Sequence, residues 1–216
     1  MDRNMYLPVA LLGALVAGAC GGEGEAAMED MGDMAEAAVA TMDAPAGLEG
    51  CFINGSPAET QERPSPLKTV SFEYANGEAV LCYGAPSANS REIFGGLQQF
   101  GSPWRAGANE ATAIHLSGAA SIGGVAVEAG SYSLYAVPGE EEWEFFVNSN
   151  AERWGIPIND EVTATNVGSF TATPEPTDGM VETLTYSFVP TDEGMGDIVM
   201  EWENTRVKFH IHPGAM

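Results

Sequence analysis

Beyond residue 65 the apolar residues of this chain alternate with polar ones at a period of two. That period restricts most of the chain to strands with one buried face. In "LKTVSFEYANGEAVLCYG", residues 67–84, Val70, Phe72 and Tyr74 alternate with polar neighbours, Asn76-Gly77 supplies a turn with positive φ, and Val80 and Cys82 resume the pattern. A hairpin is predicted there. "TAIHL", "VAVEAGSYSLYAVP", "WEFFVN", "SFTATP", "VETLTYSFVP" and "DIVMEWENTRVKFHIH" read the same way, and Gly, Pro, Asn and Asp clusters separate them. This spacing suits a sandwich or barrel. "SREIFGGLQQF" has room for a helical turn, which Gly95-Gly96 limits. The predicted fold is all-β, an antiparallel two-sheet sandwich preceded by a disordered tether. Trp143 and Trp202 belong to its core, and Tyr132, following a Gly turn, is placed to anchor a corner through its hydroxyl.

The chain ahead of the strands has a different character. Arg3 precedes an apolar run over residues 9–19, which is too short to span a bilayer but suits a signal-peptide core. "LVAGAC" resembles the lipobox of bacterial lipoproteins, which implies a signal peptide over residues 1–19 and lipidation at Cys20. Gly21 follows the cysteine, so the Asp associated with inner-membrane retention is absent. The expected location is the bacterial envelope, on the periplasmic or outer-membrane side, with the membrane contacted through the anchor. Residues 20–50 form an acidic Met/Ala/Gly-rich stretch with eight acidic residues, no basic ones and no aromatics. Such a segment buries too little apolar surface to offset its ordering entropy, so a self-repelling flexible tether is predicted. Met28, Met31 and Met34 add soft thioethers of the kind that suit Cu(I).

Residues 51–216 are one domain's worth of chain. Their 22 acidic and 7 basic residues give a net charge of −15, which disfavours nucleic acid and anionic lipid as partners. Beyond Cys20 there remain Cys51 and Cys82, and in an exported protein such a pair is most simply a disulfide.

Several landmarks then occur in order: "SPLKTVSFEY", "YGAPSANSREIFGGL", "FGSPWRAGANEATAIHL", "VEAGSYSLYAVPGEEEWEFFVN", "RWG" and "IVMEWENTRVKFHI". Together they resemble the DUF2911 family of secreted or lipid-anchored bacterial proteins, whose activity is not established. The resemblance runs over residues 65 to 212, and "WRAGANEAT" is its most specific part. It implies the domain limits and export, and supplies no reaction. This chain departs from the family by carrying Ala85 before Pro86, where an Arg is usual. It also keeps Asp160 after the Trp-Gly pair without the usual Tyr.

That specific block is also the candidate site. Trp104, Arg105, Asn109, Glu110 and Thr112 lie close together around Gly107, and Arg91 is placed to approach them. A guanidinium matches a carboxylate bidentately, so two roles fit. Arg105 and Glu110 either lock a long connection over the end of the sandwich, or line a cleft that binds a small polar or anionic ligand against Trp104. The leading expectation is a non-catalytic binding module for such a ligand or for an envelope protein, with no cofactor. An alternative is metal handling (Cu or Zn) through the Met-rich tether, His210 and His212, joined by His115 if their strands are neighbours. A further alternative is hydrolysis through Glu110, although no G-x-S-x-G or H-E-x-x-H pattern is present. The acidic run Glu140, Glu141, Glu142 and Glu144 reads as a solvated hairpin tip.

Overall fold

The computed structural model describes residues 50–191 and 194–214. The signal peptide, Cys20 and the tether up to residue 49 lie outside the described residues. The chain enters through Cys51, which is disulfide-bonded to Cys82 as expected, with 5.8 Å between their Cα atoms. Helix α1 (Pro57–Glu62) follows. Its start is set by a capping box: the Ser56 hydroxyl accepts from the Glu59 N–H, and the Glu59 carboxylate accepts from the Ser56 N–H at 2.7 Å.

The strands then follow in order: β1 (Leu67–Tyr74), β2 (Gly77–Gly84), β3 (Ala108–Leu116), β4 (Ala120–Ile122), β5 (Val125–Val127), β6 (Gly130–Val137) and β7 (Trp143–Asn148). After the short helix α2 (Asp160–Thr163) come β8 (Asn166–Ala172), β9 (Glu175–Pro190) and β10 (Gly196–Pro213). A six-stranded sheet has the order β1-β2-β3-β6-β7-β8, and a four-stranded sheet has the order β5-β4-β10-β9. All their pairings are antiparallel. The protein is the two-sheet sandwich that the alternation predicts.

In the first hairpin Tyr74 stands opposite Gly77, so Ala75 and Asn76 form the loop and Gly77 already opens β2. The turn is one residue earlier than the Asn-Gly signal suggests. Gly77 is needed for another reason, because a Cβ there would collide with Ser117. "SREIFGGLQQF" forms turns but no helix; Leu97 and Gln98 N–H groups donate to the Glu92 and Ile93 carbonyls. Glu140, Glu141 and Glu142 lie exposed in the β6–β7 connection.

The core sits where the inner faces meet. Leu81, Ile114, Leu134 and Phe145 of the larger sheet belong to one cluster with Leu184, Ile198, Met200 and Phe209 of the smaller. Toward one end it becomes aromatic. Phe94 packs edge-on against Trp143 at 4.6 Å and Trp104 at 5.5 Å, and Trp104 stacks on Trp202 at 6.0 Å. Trp143 and Trp202 are thus core residues, as expected. The Tyr132 hydroxyl donates to the Glu128 carbonyl at 3.1 Å, the corner anchor that its position suggested.

The connection from β2 to β3, residues 85–107, crosses this aromatic end. An irregular connection of that length is uncommon in a compact domain and tends to serve a function. It is pinned rather than loose. The Ala88 N–H donates to the Glu182 carbonyl, the Asn89 N–H to the Glu182 carboxylate and the Ile93 N–H to the Glu203 carboxylate. Backbone bonds in both directions join Trp104 to Ala136 of β6.

Candidate functional site

Register explains how the polar block is distributed. Cys82 pairs with Ala113, but Gly84 pairs with Ala108, so β2 advances two residues while β3 advances five. The surplus in β3 bulges out of the sheet and pairs with a different segment. There the Ala111 N–H donates to the Arg153 carbonyl, the Gly155 N–H donates to the Asn109 carbonyl, and Glu110 bridges to Trp154. Positive φ angles at Ala106 (52°) and Asn109 (64°) bracket the change in direction. Gly107 is required by close approach, since a Cβ there would stand 2.5 Å from the Thr112 hydroxyl.

The bulge separates residues that the sequence places together. Glu110 is 3% exposed and turns away toward the N-terminal segment. Arg63 Nη1 donates to both of its oxygens at 2.8 and 2.9 Å, and the Asn54 N–H donates to Oε1 at 2.9 Å. Asn109 donates to the Ser65 carbonyl at 2.8 Å. Thr112 is fully buried and donates to the Ala106 carbonyl at 3.0 Å, a carbonyl that also accepts from the Tyr186 hydroxyl at 2.9 Å. Burial pushes the Tyr186 phenol well above its ordinary pKa, so it remains a donor. Asn109, Glu110 and Thr112 are therefore structural here, and the expected Arg105–Glu110 pair opening on a shared hollow is corrected to Arg63–Glu110. Hydrolysis through Glu110 is left without an accessible carboxylate.

The remaining three predicted residues do come together. A hollow of about 390 Å³ at the aromatic end is lined by Arg91, Trp104 and Arg105, with Trp202 beside them. That volume falls within the range of small-molecule sites, roughly 300–1,000 Å³. Arg105 Nε donates a long bond, 3.3 Å, to the Gly107 carbonyl, and its terminal nitrogens have no acceptor among the described residues. Burial lowers the Arg105 pKa while the nearby Glu110 charge raises it. Arg91 is partly committed: Nε donates to the Ala88 carbonyl and Nη2 to the Ser87 carbonyl, both at 2.8 Å. Its Nη1 has no acceptor among the described residues. The Trp202 indole N–H is buried without a partner among the described residues, and the residue lines the hollow beside Trp104.

Residues that period and motif did not single out complete the site. Ser65, Pro86, Leu97 and Ile156 also line the hollow. The Gly155 position allows "RWG" to lie against Arg105, because a Cβ there would meet the Arg105 stem and the Asn109 carbonyl. Arg153 Nη1 donates to the Trp154 and Gly155 carbonyls and holds that segment in shape.

The histidines do not assemble. His115 lies on β3 between the core residues Ile114 and Leu116, so it faces outward from the larger sheet. His210 and His212 lie on β10, alternating with the core residues Phe209 and Ile211, and face outward from the smaller sheet. Strands β3 and β10 are in different sheets, which corrects the idea of three imidazoles meeting. His115 Nδ1 is 2.7 Å from the Ser131 hydroxyl, and His210 pairs with Asp197. Among the described residues no group of three or more His, Cys, Asp or Glu is placed to hold a metal ion. The Met-rich tether lies outside them.

Fold and hollow together define a disulfide-stapled β-sandwich with a cation-lined, small-molecule-sized cavity at one end. The chain belongs to the DUF2911 family, described as a protein of unknown function, whose family model matches residues 65–211. No curated protein and no solved structure matches it.

Proposed function

We propose that this protein is a non-catalytic binding module of the bacterial envelope that takes a small anionic ligand in the hollow at Arg105. One observation carries the reading. The domain has 22 acidic and 7 basic residues, yet two of those seven line the hollow and no Asp or Glu does. A concave site of one sign with low-dielectric walls focuses the field on a ligand of the opposite sign. Arg105 is half-buried and its terminal nitrogens are unengaged among the described residues, leaving a fork that donates to a carboxylate bidentately.

Export and anchoring belong to the same proposal. The lipobox-like "LVAGAC" supports lipidation of Cys20, and the Cys51–Cys82 disulfide fits an oxidising compartment. Cys20→Ala should move the protein from the membrane fraction to the soluble fraction of cells; unchanged fractionation would contradict the anchor. Binding is tested by calorimetry of the full chain with acetate, butyrate and benzoate at low salt. Binding that Arg105→Gln weakens tenfold or more, in a variant with native circular dichroism, is expected. Equal binding by the variant, or none by the wild type, would contradict the reading.

A further inference from the structure

Part of the lining beside the cations is apolar, and two of its residues are strongly exposed. Leu97 is 54% exposed and Ile156 is 53% exposed, and both line the hollow. Phe100 and Trp154, on the same two loops, are also large exposed hydrophobics. These two loops supply four of the seven such residues among the described ones; Leu97 and Ile156 line the cavity, whereas Trp154 lies under the Arg63 guanidinium, 5.8 Å from its ring centre. Clustered apolar exposure of this kind marks an interaction surface, whereas scattered single residues do not. Trp104 and Trp202 continue the apolar surface inward.

Resting on the anion-binding reading, we propose that the ligand is a monocarboxylate carrying an apolar chain. Its carboxylate sits on the terminal nitrogens of Arg105, with Arg91 Nη1 beside it, and its chain leaves along Leu97 and Ile156. Two features favour one charge over several. Arg91 has already spent Nε and Nη2 on the Ser87 and Ala88 carbonyls, so a single complete fork remains. The net charge of −15 opposes every further negative charge brought to the domain.

The test is a calorimetric series on the purified full chain with acetate, butyrate, hexanoate and octanoate, and with hexanol and inorganic phosphate as controls. Affinity should rise roughly two- to fourfold per added methylene, the increment of apolar burial. Hexanoate should outbind both hexanol and phosphate. Leu97→Ser and Ile156→Ser change exposed positions, so the fold is kept; each should lower the octanoate-to-acetate affinity ratio several-fold. Carboxylates that all bind with the same affinity, or phosphate binding as well as hexanoate, would overturn this inference while leaving an anion site at Arg105 standing, whereas hexanol binding as well as hexanoate would overturn the anion site itself. Failure of every carboxylate to bind would remove both proposals.

Discussion

With Glu110 enclosed and held by Arg63, the neighbouring Arg105 has no acceptor at its terminal nitrogens among the described residues. Arg63→Ala would leave a buried carboxylate with one remaining donor, the Asn54 N–H. Removing one partner of such a pair costs about 3 kcal/mol, readable as a lower urea midpoint. It should also weaken hexanoate binding, because Arg105 becomes the nearest cation for Glu110; unchanged affinity would show that the two arginines act independently. Thr112→Val and Tyr186→Phe each withdraw one hydroxyl from the Ala106 carbonyl, and each should cost about 1 kcal/mol by denaturant unfolding. His115 supplies a pH dependence. Burial pushes its pKa down, with Glu152 opposing, so the unfolded chain takes up the proton first as pH falls. Its stabilising contribution is complete above the ordinary histidine pKa of about 6.5 and is lost as pH falls from there toward the folded value. His115→Gln should therefore lose less stability than the wild type between about pH 7 and pH 5 in paired urea titrations.

At the scale of elements, the segment from Cys51 to Arg63 acts as a strap, fixed by the disulfide at one end and by the Glu110 ion pair at the other. The disulfide closes a loop with a sequence separation of 31, which contributes about 4 kcal/mol, so Cys51→Ser with Cys82→Ser should lower stability by that order. A loss far smaller would mean that α1 and the ion pair hold the strap unaided. The strands were legible because alternation reports which face is buried, and that face is settled locally. Helix α1 has a local signal as well, Ser56-Pro57 with Glu59, which a search for period two passes over. The bulge in β3 has no such signal. Its register depends on pairing with residues 153–155, some forty positions away, so the sequence could cluster the polar block but not show which members face the cavity. Arg91, Trp104 and Arg105 reach it from the connection ahead of β3, whereas Asn109, Glu110 and Thr112 lie within the strand that bulges aside.

For the whole molecule, charge is the feature that most limits what can bind. A domain at −15 repels anions at long range, while the hollow attracts them at short range. Adipate, which adds a second carboxylate to a six-carbon chain, should bind more weakly than hexanoate, and calorimetry should show that gap narrowing between about 0.01 M and 1 M salt as the repulsion is screened. The account is tested most directly by following the side-chain Nε–Hε resonances of Arg105 and Arg91 by NMR as hexanoate is added to the full chain. Saturable shifts of Arg105, with smaller ones at Arg91, are predicted. Resonances that stay still while the ligand perturbs other parts of the surface would contradict a binding site in this hollow.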